Sequence, residues 1–113
     1  MMKIINETLA LEELNQMAER FEGMVKAVVD IDREIIAVDA ELHSDLEALL
    51  LQDGSKQAGL WGINLHPQVQ GKEFIEFDSM INLRPRAGNR SRGVESGELR
   101  EKIIAVVLKR VPR

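Results

Sequence analysis

Arg84, Arg86, Arg90 and Arg92 fall within eleven residues, RPRAGNRSRGV from Arg84 to Val94, which hold two glycines and no acid. Four guanidinium groups, the Asn89 amide and the Ser91 hydroxyl have the chemistry of a loop that holds a phosphate or carboxylate. Guanidinium forks pair bidentately with such groups, and glycine lets backbone amides join the site. The loop follows a segment where Asp78, Asn82 and Arg84 lie at even separations and so on one side of an extended chain, and it precedes Ser96, a residue able to cap a helix whose free amides also favour anions. Arg84, Asn89, Arg90, Ser91 and Arg92 are therefore candidate anion ligands, with Asp78 a candidate acid–base group beside them. A second reading stays open, in which the arginines pair with first-half acids such as Asp30, Asp32 or Asp39 and pin down a long loop.

His43 is the other group with chemistry suited to neutral pH, as a general acid or base at the junction of a strand and a helix. Glu41, His43 and Asp45 alternate, and an extended chain would set them on one side as metal ligands. Ser44-Asp-Leu-Glu47 fits a capping box, however, so a helix begins there and Asp45 serves its first-turn dipole; no metal and no cofactor are expected. Asn64, Glu76, Asp78 and Asn82 share the polar face of a candidate hairpin whose pairing sets Asn64 by Glu76 and Gly62 by Asp78. That face is either a solvated sheet surface or, with Gly62 leaving space opposite an acid, part of a ligand site contributed by Asn64 and Asn82.

The elements that must position these groups number seven. Leu11, Leu14, Met17, Ala18 and Phe21 recur at helical spacing, with Thr8 as N-cap and Gly23 as the stop. Residues 24–31 and 34–40 are rich in Val and Ile and read as a hairpin turning at Asp32-Arg33. A second helix spans roughly Asp45 to Gln52 and ends before Gly54. Residues 60–66 and 74–83 read as a second hairpin, with Trp61, Ile63 and Leu65 facing the core. A third helix follows Ser96, with Leu99, Ile103, Val106 and Val107 inward and Lys109, Arg110 and Pro112 closing it. The order α-β-β-α-β-β-α predicts an α+β fold, a two-layer antiparallel four-stranded sheet with three helices on one face.

A chain of 113 residues, 44% apolar and 30% charged, suits a single domain with a modest core. It has no cysteine, no targeting segment and no apolar run near the roughly 20 residues of a membrane span, so it is expected to be cytoplasmic and away from membranes. Residues 1–53 carry 13 acids against 4 bases and residues 54–113 carry 6 acids against 11 bases. Such a dipole can steer an anion to the basic half or draw the halves together, within one fold or across a homo-oligomer.

The segments AELH (40–43), GSKQ (54–57), LWGINL (60–65), EFDSMINLRP (76–85) and GNRSRGV (88–94) resemble a small prokaryotic family catalogued as a domain of unknown function. The resemblance covers nearly the whole chain and implies a free-standing small bacterial or archaeal protein, with no mechanism attached. Walker, dinucleotide-fingerprint, His-Glu-x-x-His and serine-elbow motifs are absent. With no Tyr and an acidic net charge of −4, nucleic-acid binding is disfavoured. The preferred expectation is a binding or regulatory module, homo-oligomeric, whose arginine loop recognises an anionic small molecule or an acidic protein patch. The alternative is a metal-independent hydrolase or nuclease-like enzyme on a phosphate ester, with His43 or Asp78 moving the proton.

Overall fold

The computed structural model describes residues 1–112. Five strands and three helices alternate in the order β1 (Lys3–Ile5), α1 (Leu11–Glu19), β2 (Val25–Asp30), β3 (Ile35–Val38), α2 (His43–Gln52), β4 (Leu60–Leu65), β5 (Ile75–Glu76) and α3 (Gly97–Arg110). The sheet is antiparallel throughout, with strand order β1-β3-β2-β4-β5. It therefore has five strands where the sequence reading has four, and the chain begins with a strand. Three residues are too few for an apolar alternation to stand out, and β1 exists because Lys3, Ile4 and Ile5 find Val38, Ala37 and Ile36 across the ladder.

The helices occupy both faces of the sheet, which corrects the two-layer expectation. Val25, Ala27, Val29, Ile36, Val38, Trp61, Ile63 and Leu65 pack with Leu14, Met17, Ile103, Val106 and Val107 of α1 and α3. On the opposite face Val28, Ile35, Ala37 and Leu60 pack with Leu46 and Leu50 of α2. The physical reason is visible in β3, whose four residues Ile-Ile-Ala-Val are all buried. A continuous apolar strand needs cover on both sides, whereas a half-solvated strand would alternate.

The turn between β2 and β3 forms without glycine because Asp30 supplies a substitute acceptor. Its Oδ1 takes the Asp32 amide at 2.9 Å and the Arg33 amide at 3.0 Å, and Glu34 adopts φ of +55° to rejoin the ladder. The sequence-derived caps fare differently. Ser96 caps α3 by accepting the Leu99 amide at 3.2 Å. Neither α1, which starts after Ala10, nor α2, which starts after Leu42, has a side-chain cap. The capping box at Ser44 thus does not form. The helix begins at His43, and Glu47 turns to Arg84 at 3.8 Å instead of back to its own N-terminus.

The second hairpin is shorter than its pattern suggests. Asn64 does pair with Glu76, as expected, but β5 ends there. Beyond it the chain lifts across the α2 face of β4, with a 3-10 turn at Met80–Asn82 capped by the Ser79 hydroxyl, which accepts the Ile81 amide. The glycine at position 62 permits this crossing. A Cβ there would lie 2.5 Å from the Ser79 Cβ, so Ser79 and Asn82, and not Asp78, come to cover Gly62.

Candidate functional site

Asn82 is fully buried and completes β4 with its side chain. Its Oδ1 accepts the Gly62 amide at 2.8 Å, and its Nδ2 donates to the Gly62 carbonyl at 2.9 Å and to the Arg92 carbonyl at 2.9 Å. One primary amide thereby replaces both partners that a neighbouring strand would give Gly62. Asn89 does a similar task for the arginine loop. Its Nδ2 donates to the carbonyls of Asn82, Ser91 and Gly93, and its Oδ1 accepts the Glu95 amide. Arg84 and Asn89 exchange backbone hydrogen bonds of 2.8 and 3.0 Å around a 3-10 turn at Pro85–Ala87, with Gly88 left-handed at φ +87°. The loop is therefore a tied hairpin, held in shape by the Asn89 side chain within it and by the bond from Asn82, just before it, to the Arg92 carbonyl.

Arg84 points into the protein. Its guanidinium lies 4.6 Å from the centroid of the Trp61 ring, donates to the Ile81 and Leu60 carbonyls and faces Glu47. Burial lowers its pKa from the usual arginine value, with the Glu47 carboxylate opposing that shift. Arg86, Arg90 and Ser91 are exposed on the outside of the hairpin. Arg92 alone among the loop's guanidinium groups reaches a cleft, where its Nε donates to Asp78 Oδ1 at 2.6 Å. The acids that pair with Arg84 and Arg92 are thus Glu47 and Asp78; Asp39 pairs with Arg20, and Asp30 holds its own turn.

The cleft, of about 470 Å³, opens on the α2 face of the sheet between the start of α2 and the segment after β5. Lys26 of β2, His43 and Ser44 of α2, Asn64 of β4, Glu76 of β5, and Asp78, Ser79 and Arg92 beyond it supply its polar wall. Lys26 and Asn64 are cross-strand partners, as are Asn64 and Glu76, so three adjacent strands present Lys, Asn and Glu in a row. The fold thus brings His43 to Asp78, Asn64 and Arg92, groups spread over 50 positions of sequence, while Asn82, Asn89 and Arg84 lie in the supporting structure behind them. Lys26, Glu76 and Ser79 join this wall with no motif of their own. Lys26 sits in the otherwise apolar run from Val25 to Val29, on the face that Val28 turns to α2, and a charge inside that run was its one sequence signal.

His43 is buried at 8% exposure, and its Nε2 lies 2.7 Å from the Ile63 carbonyl oxygen. A carbonyl only accepts, so Nε2 carries the proton and Nδ1 keeps the lone pair in the neutral ring. Burial is the largest influence on this histidine and lowers its pKa. The Ile63 bond and Asp78 oppose the shift, while Lys26 and Arg92 add to it. Those last influences mark Lys26, Asp78 and Arg92 as lying within electrostatic range of one imidazole. Asn64 donates through Nδ2 to Glu76 Oε1 at 3.0 Å and to the Asp78 carbonyl at 3.3 Å, which fixes the amide's orientation. Its Oδ1 is then buried with no hydrogen-bond partner. Glu76 Oε1 also lies 3.1 Å from His66 Nε2.

A larger cavity of about 660 Å³ runs between α1, α3 and the β4–β5 loop, lined by Leu11, Phe74, Ile75, Ile104 and Leu108 with Gln70 and Lys72 at its rim. It is bigger than the cleft, but no acid and base meet among its lining residues. Among the described residues no group of three or more His, Asp or Glu is placed to hold a metal ion. Because α2 already starts at His43, Glu41 and Asp45 leave the strand spacing that a shared ligand set would need. No helix among the described residues is long and apolar enough to cross a membrane.

A family model described as "Protein of unknown function (DUF5674)" matches residues 3–110. No curated protein and no solved structure matches the chain.

Proposed function

The chain belongs to the DUF5674 family of unknown function, so its function has to be argued from its own cleft, and we propose that it is a small-molecule-binding module that holds an anion between Arg92 and Lys26. The observation that carries this reading is the shared wall of Lys26, His43, Asn64, Asp78 and Arg92 in one cleft. Arg92 is held through Nε by Asp78, and its two terminal amino groups have no partner among the described residues. That is the arrangement of a guanidinium oriented by one carboxylate and ready to fork onto another oxyanion. Lys26 is likewise oriented by one bond, Nζ to the Glu41 carbonyl at 2.9 Å, with two protons left to donate. The amides at the start of α2 add a favourable field for a negative charge. Arg86 and Arg90, outside the cleft, are the residues of the loop that would meet an acidic partner patch.

The test is a thermal-shift series with inorganic phosphate, sulfate, sugar phosphates and nucleoside monophosphates on the wild type, Arg92→Ala and Lys26→Ala. A ligand present at about 100 times its Kd stabilises the native state by about 2.7 kcal/mol. The expected result is stabilisation by one anion class that both substitutions remove, with the unliganded Arg92→Ala protein melting where the wild type does. Equal shifts in all three proteins would refute the reading.

A second reading, hydrolysis of a phosphate ester, is favoured by one observation, the neutral His43 with its lone pair on Nδ1. In that reaction Nδ1 takes the proton of a water that attacks phosphorus, the ester P–O bond breaks, the alkoxide leaves and receives that proton from His43 or from solvent, and Arg92 stabilises the charge that builds on the phosphoryl oxygens. Turnover of p-nitrophenyl phosphate by the wild type and its loss in His43→Gln would support it; activity unchanged by that substitution would rule out His43 as the base.

A further inference from the structure

The charge pattern of the cleft says more about the ligand than that it is an anion. Lys26 and Arg92 are balanced by Glu76 and Asp78 on the same wall. A bare anion such as phosphate meets both carboxylates along with the two cations, and the attraction is largely cancelled. The remaining groups are acceptors. His43 offers Nδ1, Glu76 has a second oxygen beyond the one used by Asn64 and His66, and Asp78 has a second oxygen beyond the one used by Arg92. Asn64 adds an Oδ1 that is buried and unpartnered, in a residue 5% exposed. A cleft whose wall carries two cationic donors and four acceptors is complementary to a molecule with both an anionic group and several O–H groups.

Resting on the anion-binding reading above, we propose that the ligand is a small hydroxylated anion, its charged group forked by Arg92 and Lys26 and its hydroxyls donating to His43, Glu76, Asp78 and Asn64. An unpaired buried acceptor is unfavourable, and a ligand hydroxyl that reaches it recovers that deficit. A site built around such acceptors discriminates strongly against an analogue that lacks the hydroxyls. The cleft's volume lies within the usual range for small-molecule sites, about 300–1,000 Å³. Sugar phosphates and sugar acids both carry the required chemistry, and they differ in whether the anion is a phosphate or a carboxylate.

The experiment is titration calorimetry of the full chain with four probes: ribose 5-phosphate, gluconate, inorganic phosphate and ribose. Ribose 5-phosphate or gluconate is expected to bind at least about tenfold more tightly than phosphate or ribose, a factor equivalent to about 1.4 kcal/mol. Which of the two binds names the anion. In Glu76→Gln, with folding checked by circular dichroism, the preference over phosphate is expected to shrink, while Arg92→Ala abolishes binding of both. Phosphate binding as tightly as ribose 5-phosphate, and still depending on Arg92, would overturn the hydroxyl assignment and leave the anion site standing. Binding indifferent to Arg92, or no binding of any of the four, would overturn both.

Discussion

Replacing Asn82 by alanine removes three hydrogen bonds at once. Gly62 loses the partner of its amide and the partner of its carbonyl, and the Arg92 carbonyl loses its donor, all at a residue with 0% exposure. Water cannot readily replace an amide sealed between β4 and the segment after it. Each buried group left unsatisfied is destabilising by about 1–3 kcal/mol, so the expected loss is about 3–5 kcal/mol once some local relaxation is allowed. That is a large part of the 5–15 kcal/mol typical of a domain this size, and corresponds to a fall in Tm of about 10–25 °C. The assay is urea and thermal unfolding followed by circular dichroism, with Arg90→Ala as the surface control, expected within about 0.5 kcal/mol of wild type. Asn82→Asp sharpens the test. Its carboxylate still accepts from Gly62 but faces two carbonyl oxygens, so its pKa in the fold rises above that of the unfolded chain. The proton it needs is held below the unfolded value near 3.9 and lost as pH rises through the folded value, so its deficit against Asn82→Ala should widen from acid to neutral pH. A loss below about 1 kcal/mol for Asn82→Ala would refute the claim that this side chain replaces a strand.

Three further outcomes are expected. Gly62→Ala puts a Cβ 2.5 Å from that of Ser79 and should destabilise by about 1–3 kcal/mol in urea unfolding, and Ser79→Gly should rescue part of the loss. Arg84→Ala removes bonds to the Ile81 and Leu60 carbonyls and the charge over Trp61, so it should lower stability by about 2–4 kcal/mol and shift the fluorescence of the chain's one tryptophan. His43, whose folded pKa is depressed, binds fewer protons in the native state than in the unfolded chain. Its contribution is therefore complete above the unfolded value near 6.5 and lost as pH falls from there toward the folded value, at up to about 1.4 kcal/mol per pH unit; His43→Gln should flatten that part of the stability profile.

Much of the fold was legible because its signals are local. The β2–β3 hairpin follows from its Val and Ile content, α3 from its apolar spacing and its Ser96 cap, and the Asn64–Glu76 register from the length of the loop between them. The Ser44 capping box misled because a local motif competes with tertiary partners, and Glu47 found Arg84. The alternation after Glu76 misled for a related reason. Residues 77–83 have strand-like periodicity, yet Gly62 leaves room for Ser79 to cross over β4, and Asn82 pairs with that strand through its side chain.

By itself the sequence determined which groups could do chemistry: a histidine at a strand–helix junction, an acid at position 78, and an arginine-rich loop free of acids. It could not rank the arginines, because identical guanidinium groups differ only in what surrounds them. The tertiary structure decided that Arg84 packs on Trp61, that Asn82 and Asn89 hold backbone, and that Arg92 meets Lys26, His43 and Asp78 in one cleft. Burial and the meeting of β2, β4, β5 and the start of α2 set those roles, and contacts between residues far apart in the chain leave no periodic trace in it.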